Sequence, residues 1–273
     1  MSSPLEISTD ALTQFKEAQK QSWAHFAALE ALTTPAAAVL VRRAKVAAGR
    51  RVLDVACGTG VVAVTAARLG AHVTGLDLTP ELLERARENA RLAGVEVEWR
   101  QGDVEELPFD DATFDLVLSQ FGHIFAPRPD VAVSELLRVL RPGGTIAFST
   151  WPPELYIGQL VALFGRYMPP PPPGVASPRL WGDPSVVRER LGAAVTDVIF
   201  DHARISVPAL SPPHMRTMLE RTSGQLSTFV ESSTATDPAR LAAFRRELDE
   251  LIAEYFEDNL VREDYLITRA TRL

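Results

Sequence analysis

A single cysteine, Cys57, in 273 residues excludes an internal disulfide framework and a Cys-rich zinc site, and it points to a reducing compartment. No metal is expected. No apolar stretch nears the ~20 residues that would span a bilayer. The opening segment, MSSPLEISTDALTQFKEAQ, lacks the basic-then-apolar order of a secretion signal. A cytoplasmic chain without a membrane span is the expectation. Positive charge is in deficit: 28 Lys and Arg against 35 Asp and Glu give a net charge of −7, which opposes the counterion release behind most nucleic-acid binding. The Arg pairs at 42–43, 50–51 and 245–246 are scattered, so no nucleic-acid partner is expected. With 46% hydrophobic and 23% charged residues, the balance is that of one large globular domain with additions.

The pattern along the chain is that of βα units. Leu12, Phe15, Trp23 and Phe26 fall on one helical stripe. From Arg51 short apolar runs alternate with helical segments, the mark of a parallel sheet covered by helices. Strands are expected at 51–56, 72–77, 96–100, 114–119 and 145–150, with helices at about 60–69, 80–92 and 130–140. Gly70 and Gly94 stand where left-handed C′ residues are wanted, and Thr79-Pro80 reads as an N-cap with proline at N1. The alternation stops at Trp151. A helix carrying Leu160, Leu163, Phe164 and Tyr167 follows, then five prolines from Pro169 to Pro173, read as a stiff spacer. Asp183-Pro184 opens a short helix, 195–207 alternates as a strand, and helices are expected at 212–231 and 238–256. The end, 264–272, alternates as a last strand.

The chemistry is concentrated at the ends of the first strands. Val52-Leu53-Asp54-Val55-Ala56-Cys57-Gly58-Thr59-Gly60 runs from a strand through a glycine turn into a helix. Such a turn lets the backbone approach a ligand and aims helical N–H groups at it. The second strand ends in Gly75-Leu76-Asp77, whose carboxylate can accept from ribose hydroxyls. The same two features fit a nicotinamide-dependent oxidoreductase, because 58–63 satisfies G-x-G-x-x-[GA]. Asp54 argues otherwise. An acid inside the first strand needs a partner, which the ammonium end of an aminoacyl cofactor would provide. Asp103, with the N–H of Val104, suits an adenine edge.

DVACGTG, GLDLTPELLERAR, QGDVEELPF and LRVLRPGG together resemble the ordered motifs of class I S-adenosylmethionine-dependent methyltransferases over residues 45–150, and within them the ubiquinone/menaquinone C-methyltransferase-like group. That resemblance implies a Rossmann-like α/β fold, a seven-stranded, mostly parallel sheet of order 3-2-1-4-5-7-6 with strand 7 antiparallel. It also implies four regions: N-terminal helices over the active site at 1–44, the cofactor-binding core at 45–150, a lid insertion with strand 6 and covering helices at 151–262, and the final strand at 263–273. S-adenosyl-L-methionine would be the methyl donor and S-adenosyl-L-homocysteine the product. Carried over residue by residue, Asp54 and Gly58 would lie near the methionine portion with Gly60 beneath it. Asp77 would hold the ribose, Asp103 and Val104 the adenine, and Gln120 would close the methyl-donor side. Ala56 and Leu78 complete the cofactor-binding set.

The acceptor is expected to be a small, apolar or aromatic metabolite methylated at oxygen, nitrogen or carbon by in-line displacement, in a monomer or homodimer. Proximity supplies most of the rate, and a base is needed only if the acceptor loses a proton. His123, just past the fourth strand, is the candidate base; His25 and His214 are alternatives, while His72 and His202 read as structural. Trp23, Phe26, His123, Trp151 and Tyr156 are the candidate acceptor-pocket residues. Cys57 reads as a small side chain in a crowded turn rather than a nucleophile. A regulatory protein that binds the adenosyl cofactor without turnover is the non-enzymatic alternative.

Overall fold

The computed structural model describes residues 7–24 and 26–273. Five strands run parallel: β1 (Arg51–Val55), β2 (His72–Asp77), β3 (Glu98–Gln101), β4 (Phe114–Gln120) and β5 (Leu140–Thr150). A sixth, β6 (Val195–Pro208), lies at the far edge. Between β5 and β6 lies β8 (Leu260–Arg272), antiparallel to both, so the order is 3-2-1-4-5-8-6. This is the expected order. The additional strand is β7 (Phe256–Glu257), a two-residue hairpin partner of β8. Its turn residues, Asp258 and Asn259, have φ of +51° and +61°, which short polar side chains tolerate and a tight hairpin demands.

The central strands are buried on both faces, as parallel strands are when helices cover them. Val52, Leu116 and Leu118 join one core, which α3 (Val61–Ala67) covers with Val62, Ala63 and Ala66. Leu53, Val55, Val117 and Ile146 join the other, covered by α5 (Pro129–Val139) with Val133, Leu136 and Leu137. The α4 helix (Pro80–Ala93) packs on β2, β3 and α3. Before the sheet come α1 (Thr9–Trp23) and α2 (Glu30–Arg43); α1 buries no residue, whereas α2 buries Ala36, Ala37, Leu40 and Val41 against the first core. After β5 come α6 (Tyr156–Tyr167) and α7 (Pro184–Leu191), and after β6 come α8 (Pro212–Thr222), α9 (Gly224–Thr236) and α10 (Pro238–Tyr255). Both α6 and α10 pack on β8.

Gly70 and Gly94 have φ of +84° and +66°, as their placement after helices requires, and Asp183 caps α7 through Ser185 N–H at 2.8 Å. Three local expectations are corrected. The helix expected over 212–231 is two helices, because Ser223 turns extended (φ −96°, ψ 115°) and becomes the N-cap position of α9. The strand expected from Thr145 starts at Leu140: Phe114 pairs with Leu140 and Leu116 with Thr145, so the Arg141-Pro142-Gly143-Gly144 segment bulges out of the ladder, with Gly143 at φ +72°. Thr79 occupies the N-cap position of α4 but makes no side-chain cap bond. Asp77 organises that turn instead.

Candidate cofactor and acceptor site

The site is built where β1, β2 and β4 end. Asp54, 1% exposed, accepts from the Ala63 N–H through Oδ2 at 2.9 Å and so pins the start of α3 to β1. Its Oδ1 is buried with no partner. Burial raises this carboxyl to about 8, against the Ala63 bond that lowers it and with the Asp77 charge raising it further. Asp77 accepts from Gly58 N–H at 2.8 Å and from Thr79 N–H at 2.9 Å, tying the glycine turn to the β2–α4 turn. Its carboxyl is also raised, chiefly by burial.

The two glycines differ in what surrounds them. A Cβ on Gly60 (φ +78°) would stand 2.6 Å from Trp99 Cη2, so this glycine serves packing against β3. A Cβ on Gly58 (φ +55°) would meet nothing within 4 Å, so the turn is open there. Ala56 (φ +51°) and Phe121 (φ +60°) are non-glycine residues in the left-handed region at the ends of β1 and β4, a strain that concentrates at functional sites. Gly122 permits their approach: a Cβ there would fall 2.5 Å from Ala56 Cβ. Beside them Gln120 donates to Thr33 O at 3.0 Å, leaving its Oε1 buried without a partner.

On the adenine side, Asp103 Oδ1 accepts from Glu105 N–H at 2.9 Å, and Oδ2 pairs with Lys16 of α1 at 2.5 Å. Lys16 also reaches Glu105 at 2.6 Å, whose side chain is fully buried and bonded by Arg128 at 2.9 Å. Val104 packs its side chain on the second core. Leu78 is half-buried, and its carbonyl accepts from Gln101 at 3.4 Å. A second polar network backs the glycine turn: Glu30 of α2 pairs with Arg85 and accepts from Asn89 at 3.0 Å, and Asn89 also donates to Thr59 O at 3.0 Å. The Arg85 bond holds Glu30 below the ordinary carboxylate range.

The expected acceptor-pocket residues fall into separate groups. Trp23 packs on Phe26 (5.8 Å between centroids) and on Phe125 (4.6 Å). Trp151 stacks on Phe121 at 4.0 Å, with Tyr265 edge-on to both at 6.0 and 5.3 Å. Tyr156 is fully buried beside Tyr255, and its hydroxyl has no partner. His123 stands apart, in the second core against Phe148 (4.7 Å) and Trp181 (4.6 Å), with 0% exposure and both ring nitrogens unpartnered. Burial, aided by the Arg190 charge, pushes its pKa down to about 3. A fully buried ring packed between aromatics and held neutral is poorly placed to take a proton from an acceptor, so the expectation of a base at His123 is not carried forward. His214 accepts from Leu210 N–H at 3.2 Å on an exposed turn, and His25 lies outside the described residues. Cys57 is buried, and desolvation with the charges of Asp54 and Asp77 pushes its thiol well up, leaving it inert.

Residues 52–144 match a family model described as a methyltransferase domain. A protein of Mycobacterium tuberculosis described as uncharacterised is 37% identical over 257 residues, spanning 93% of this chain and 93% of its own length. The demethylmenaquinone methyltransferase of Clavibacter sepedonicus is 46% identical over 112 residues, 40% of this chain and 45% of that protein. The chain belongs to the class I S-adenosylmethionine-dependent methyltransferases. The fold of the YcgJ protein from Bacillus subtilis agrees, with a TM-score of 0.58 at 18% identity, covering 86% of this chain and 97% of that one. The methyltransferase therefore takes S-adenosylmethionine as its cofactor. Among its described residues, no cluster of three or more His, Cys, Asp or Glu could hold a metal, and no single helix is long and apolar enough to cross a membrane.

Several polar residues around these strand ends carry little signal in the sequence. Lys16 sat in an amphipathic helix where a lysine reads as solvated, Glu30 and Asn89 met only through tertiary packing, and Tyr265 lay in a strand read for its alternation alone. Glu263, two residues before Tyr265 and pointing to the same buried face, carried a legible signal: an acid on the apolar side of an alternating strand.

Proposed function

We propose that this methyltransferase transfers the methyl group to a small acceptor held at the carboxyl edge of β1, β4 and β5, between the glycine turn and the Phe121–Trp151 stack. The observation that carries this reading is the pair of orphaned, buried polar atoms, Asp54 Oδ1 and Gln120 Oε1, beside a glycine turn open at Gly58. An unpaired buried polar atom costs about 1–3 kcal/mol, and a ligand bringing N–H donors to these two would recover it.

Asp54 would hold the cofactor's ammonium, becoming a carboxylate as it does so. Gly58 and Ala56 would carry its amino-acid portion, with Gly60 beneath and Leu78 alongside. Asp77, already oriented by two backbone N–H groups, would keep lone pairs for ribose hydroxyls. Asp103 and the Val104 N–H would face the adenine, with Lys16 holding Asp103 in place. The cofactor supplies an already activated methyl group. The protein's part is to orient the acceptor in line with it and to exclude water, and orientation of this kind reaches effective molarities of about 10⁵–10⁸ M. Aromatic side chains along that edge support an apolar or aromatic acceptor.

Thermal melting with S-adenosylmethionine, S-adenosylhomocysteine and NAD tests this reading. A ligand at 100 times its dissociation constant adds about 2.7 kcal/mol, so both adenosyl compounds are expected to raise the melting temperature and NAD to leave it unchanged. Stabilisation by NAD alone would transfer the site to the oxidoreductases.

A further inference from the structure

The first turn of α2 reaches the glycine turn through a chain of polar side chains. Glu30, the first residue of α2, accepts from Arg85 Nε through both carboxylate oxygens, at 3.2 and 3.1 Å, and pairs with Arg85 Nη2 as well. Its Oε2 also accepts from Asn89 Nδ2 at 3.0 Å, and the same Nδ2 donates to Thr59 O at 3.0 Å. One amide nitrogen thus spends both of its hydrogens, one on α2 and one on the glycine turn. Arg85 and Asn89 stand one turn apart on α4 and share a face. Residues from α2, the glycine turn and α4 therefore converge within hydrogen-bond distance.

The chain ends on a single peptide plane. Thr59 O belongs to the Thr59–Gly60 peptide, whose N–H, on Gly60, donates to Cys57 O at 2.9 Å. With Asn89 on its oxygen and Cys57 O on its N–H, that plane is held at both ends. Gly60 is the left-handed N-cap position of α3, at φ +78°, so the plane sets how the chain passes from the glycine turn into the helix. The Glu30–Arg85 pair, with side chains 18% and 37% exposed, contributes little stability by itself. What it gives is direction: a carboxylate gripped by a planar guanidinium keeps its remaining acceptor sites fixed toward Asn89. The backing is rigid, because α2 buries Ala36, Ala37, Leu40 and Val41 in the first core. Three residues after Glu30, Thr33 O accepts from Gln120 Nε2 at 3.0 Å, so the same turn of α2 also fixes the amide at the end of β4.

We propose that Glu30 and Asn89 are positioning residues for the cofactor, holding the Thr59–Gly60 peptide in the orientation that receives the amino-acid portion of S-adenosylmethionine. This rests on the placement of that portion at Gly58 and Gly60 and deepens it by adding a support that lies behind the turn rather than against the ligand. The links act in series, from α2 to Glu30 to Asn89 to Thr59, so breaking any one of them releases the same peptide.

Calorimetric titration of the full-length protein with S-adenosylhomocysteine and with 5′-methylthioadenosine, which shares the adenosine but lacks the amino-acid portion, tests the assignment. Asn89→Ala is expected to raise the Kd for S-adenosylhomocysteine about tenfold and that for 5′-methylthioadenosine by less than about twofold. Glu30→Ala, at a partly exposed side chain, should show the same selectivity at about threefold, whereas Glu30→Gln, which keeps an oxygen for Asn89, should bind within about twofold of wild type. Because the links are in series, the Glu30→Ala, Asn89→Ala double variant should be no weaker than Asn89→Ala alone. A merely structural role would weaken both ligands alike. The proposal is overturned by equal weakening of the two ligands, by unchanged S-adenosylhomocysteine affinity in Asn89→Ala, or by additive losses in the double variant. If wild type binds neither compound, the cofactor placement fails and takes the positioning role with it; if wild type binds both and Asn89→Ala matches it, only the positioning role is lost.

Discussion

Two residues of the first βα turn separate architecture from ligand chemistry. Gly60 is held by φ +78° and by the Trp99 ring, whereas Gly58 is constrained by its φ alone. Gly60→Ala is therefore expected to destabilise by about 2–4 kcal/mol, the sum of left-handed strain and overpacking, and Gly58→Ala by only about 1–2 kcal/mol. Urea unfolding of the two variants measures the difference, and equal costs would count against the packing role of Trp99. Asp54→Asn keeps an oxygen for the Ala63 N–H but cannot become a carboxylate. We expect the cofactor-free protein to melt at the wild-type temperature or higher at pH 8, while the dissociation constant for S-adenosylmethionine rises at least tenfold, about 1.4 kcal/mol. Calorimetric affinity equal to wild type would remove Asp54 from the ammonium.

Among the elements, α1 is the one held by polar contacts. It buries no residue, and it is fastened by the Lys16 pairs with Asp103 and Glu105, the Gln19 bond to Phe125 O at 3.1 Å, the Trp23 contact with Phe125 and its packing against α9. Elements with few buried apolar contacts open locally at low free energy. Lys16→Ala should therefore leave the global melting temperature within about two degrees while amide exchange in α1 accelerates about tenfold, ~1.4 kcal/mol of local stability. Hydrogen exchange read by mass spectrometry decides the point: unchanged protection of α1 would show that Lys16 is not its fastener. By contrast α2 is anchored by its buried Ala36, Ala37, Leu40 and Val41 and by the Glu30–Arg85 pair, so it belongs to the rigid frame.

The whole molecule stores proton-linked free energy at this edge. Asp54 and Glu263 are raised to about 8 in the folded chain; they take up protons on folding, so their contribution is complete below the ordinary carboxylate pKa and is lost as pH rises through 8. His123, lowered to about 3, acts in the opposite sense, its contribution being lost as pH falls from about 6.5 toward 3. The effects oppose each other between about pH 4 and 6.5 and separate above it. Melting of the cofactor-free protein should fall from pH 6.5 to 8.5, and the Asp54→Asn, Glu263→Gln double variant should flatten that slope. A slope unchanged in the double variant would place the linkage elsewhere.

The sequence determined the βα alternation, the sheet order by way of its ordered motifs, and the glycine turn with Asp54 and Asp77, because these depend on short-range pattern: strand length, turn glycines and an acid at a strand tip. It placed helix starts at prolines and stops at glycines within a residue or two. Only the tertiary structure decided which buried groups find partners. His123 looked like a base by its distance from β4, yet the chain turns it into the Phe148–Trp181 core. Asp103 looked free for an adenine, yet α1 brings Lys16 to it from 87 residues away. Tyr156 and Tyr265 are buried with unpartnered hydroxyls because β8 returns antiparallel to β5 and packs against α6. Desolvation and pairing between distant segments are properties of packing, and packing is what a local reading of residues cannot supply.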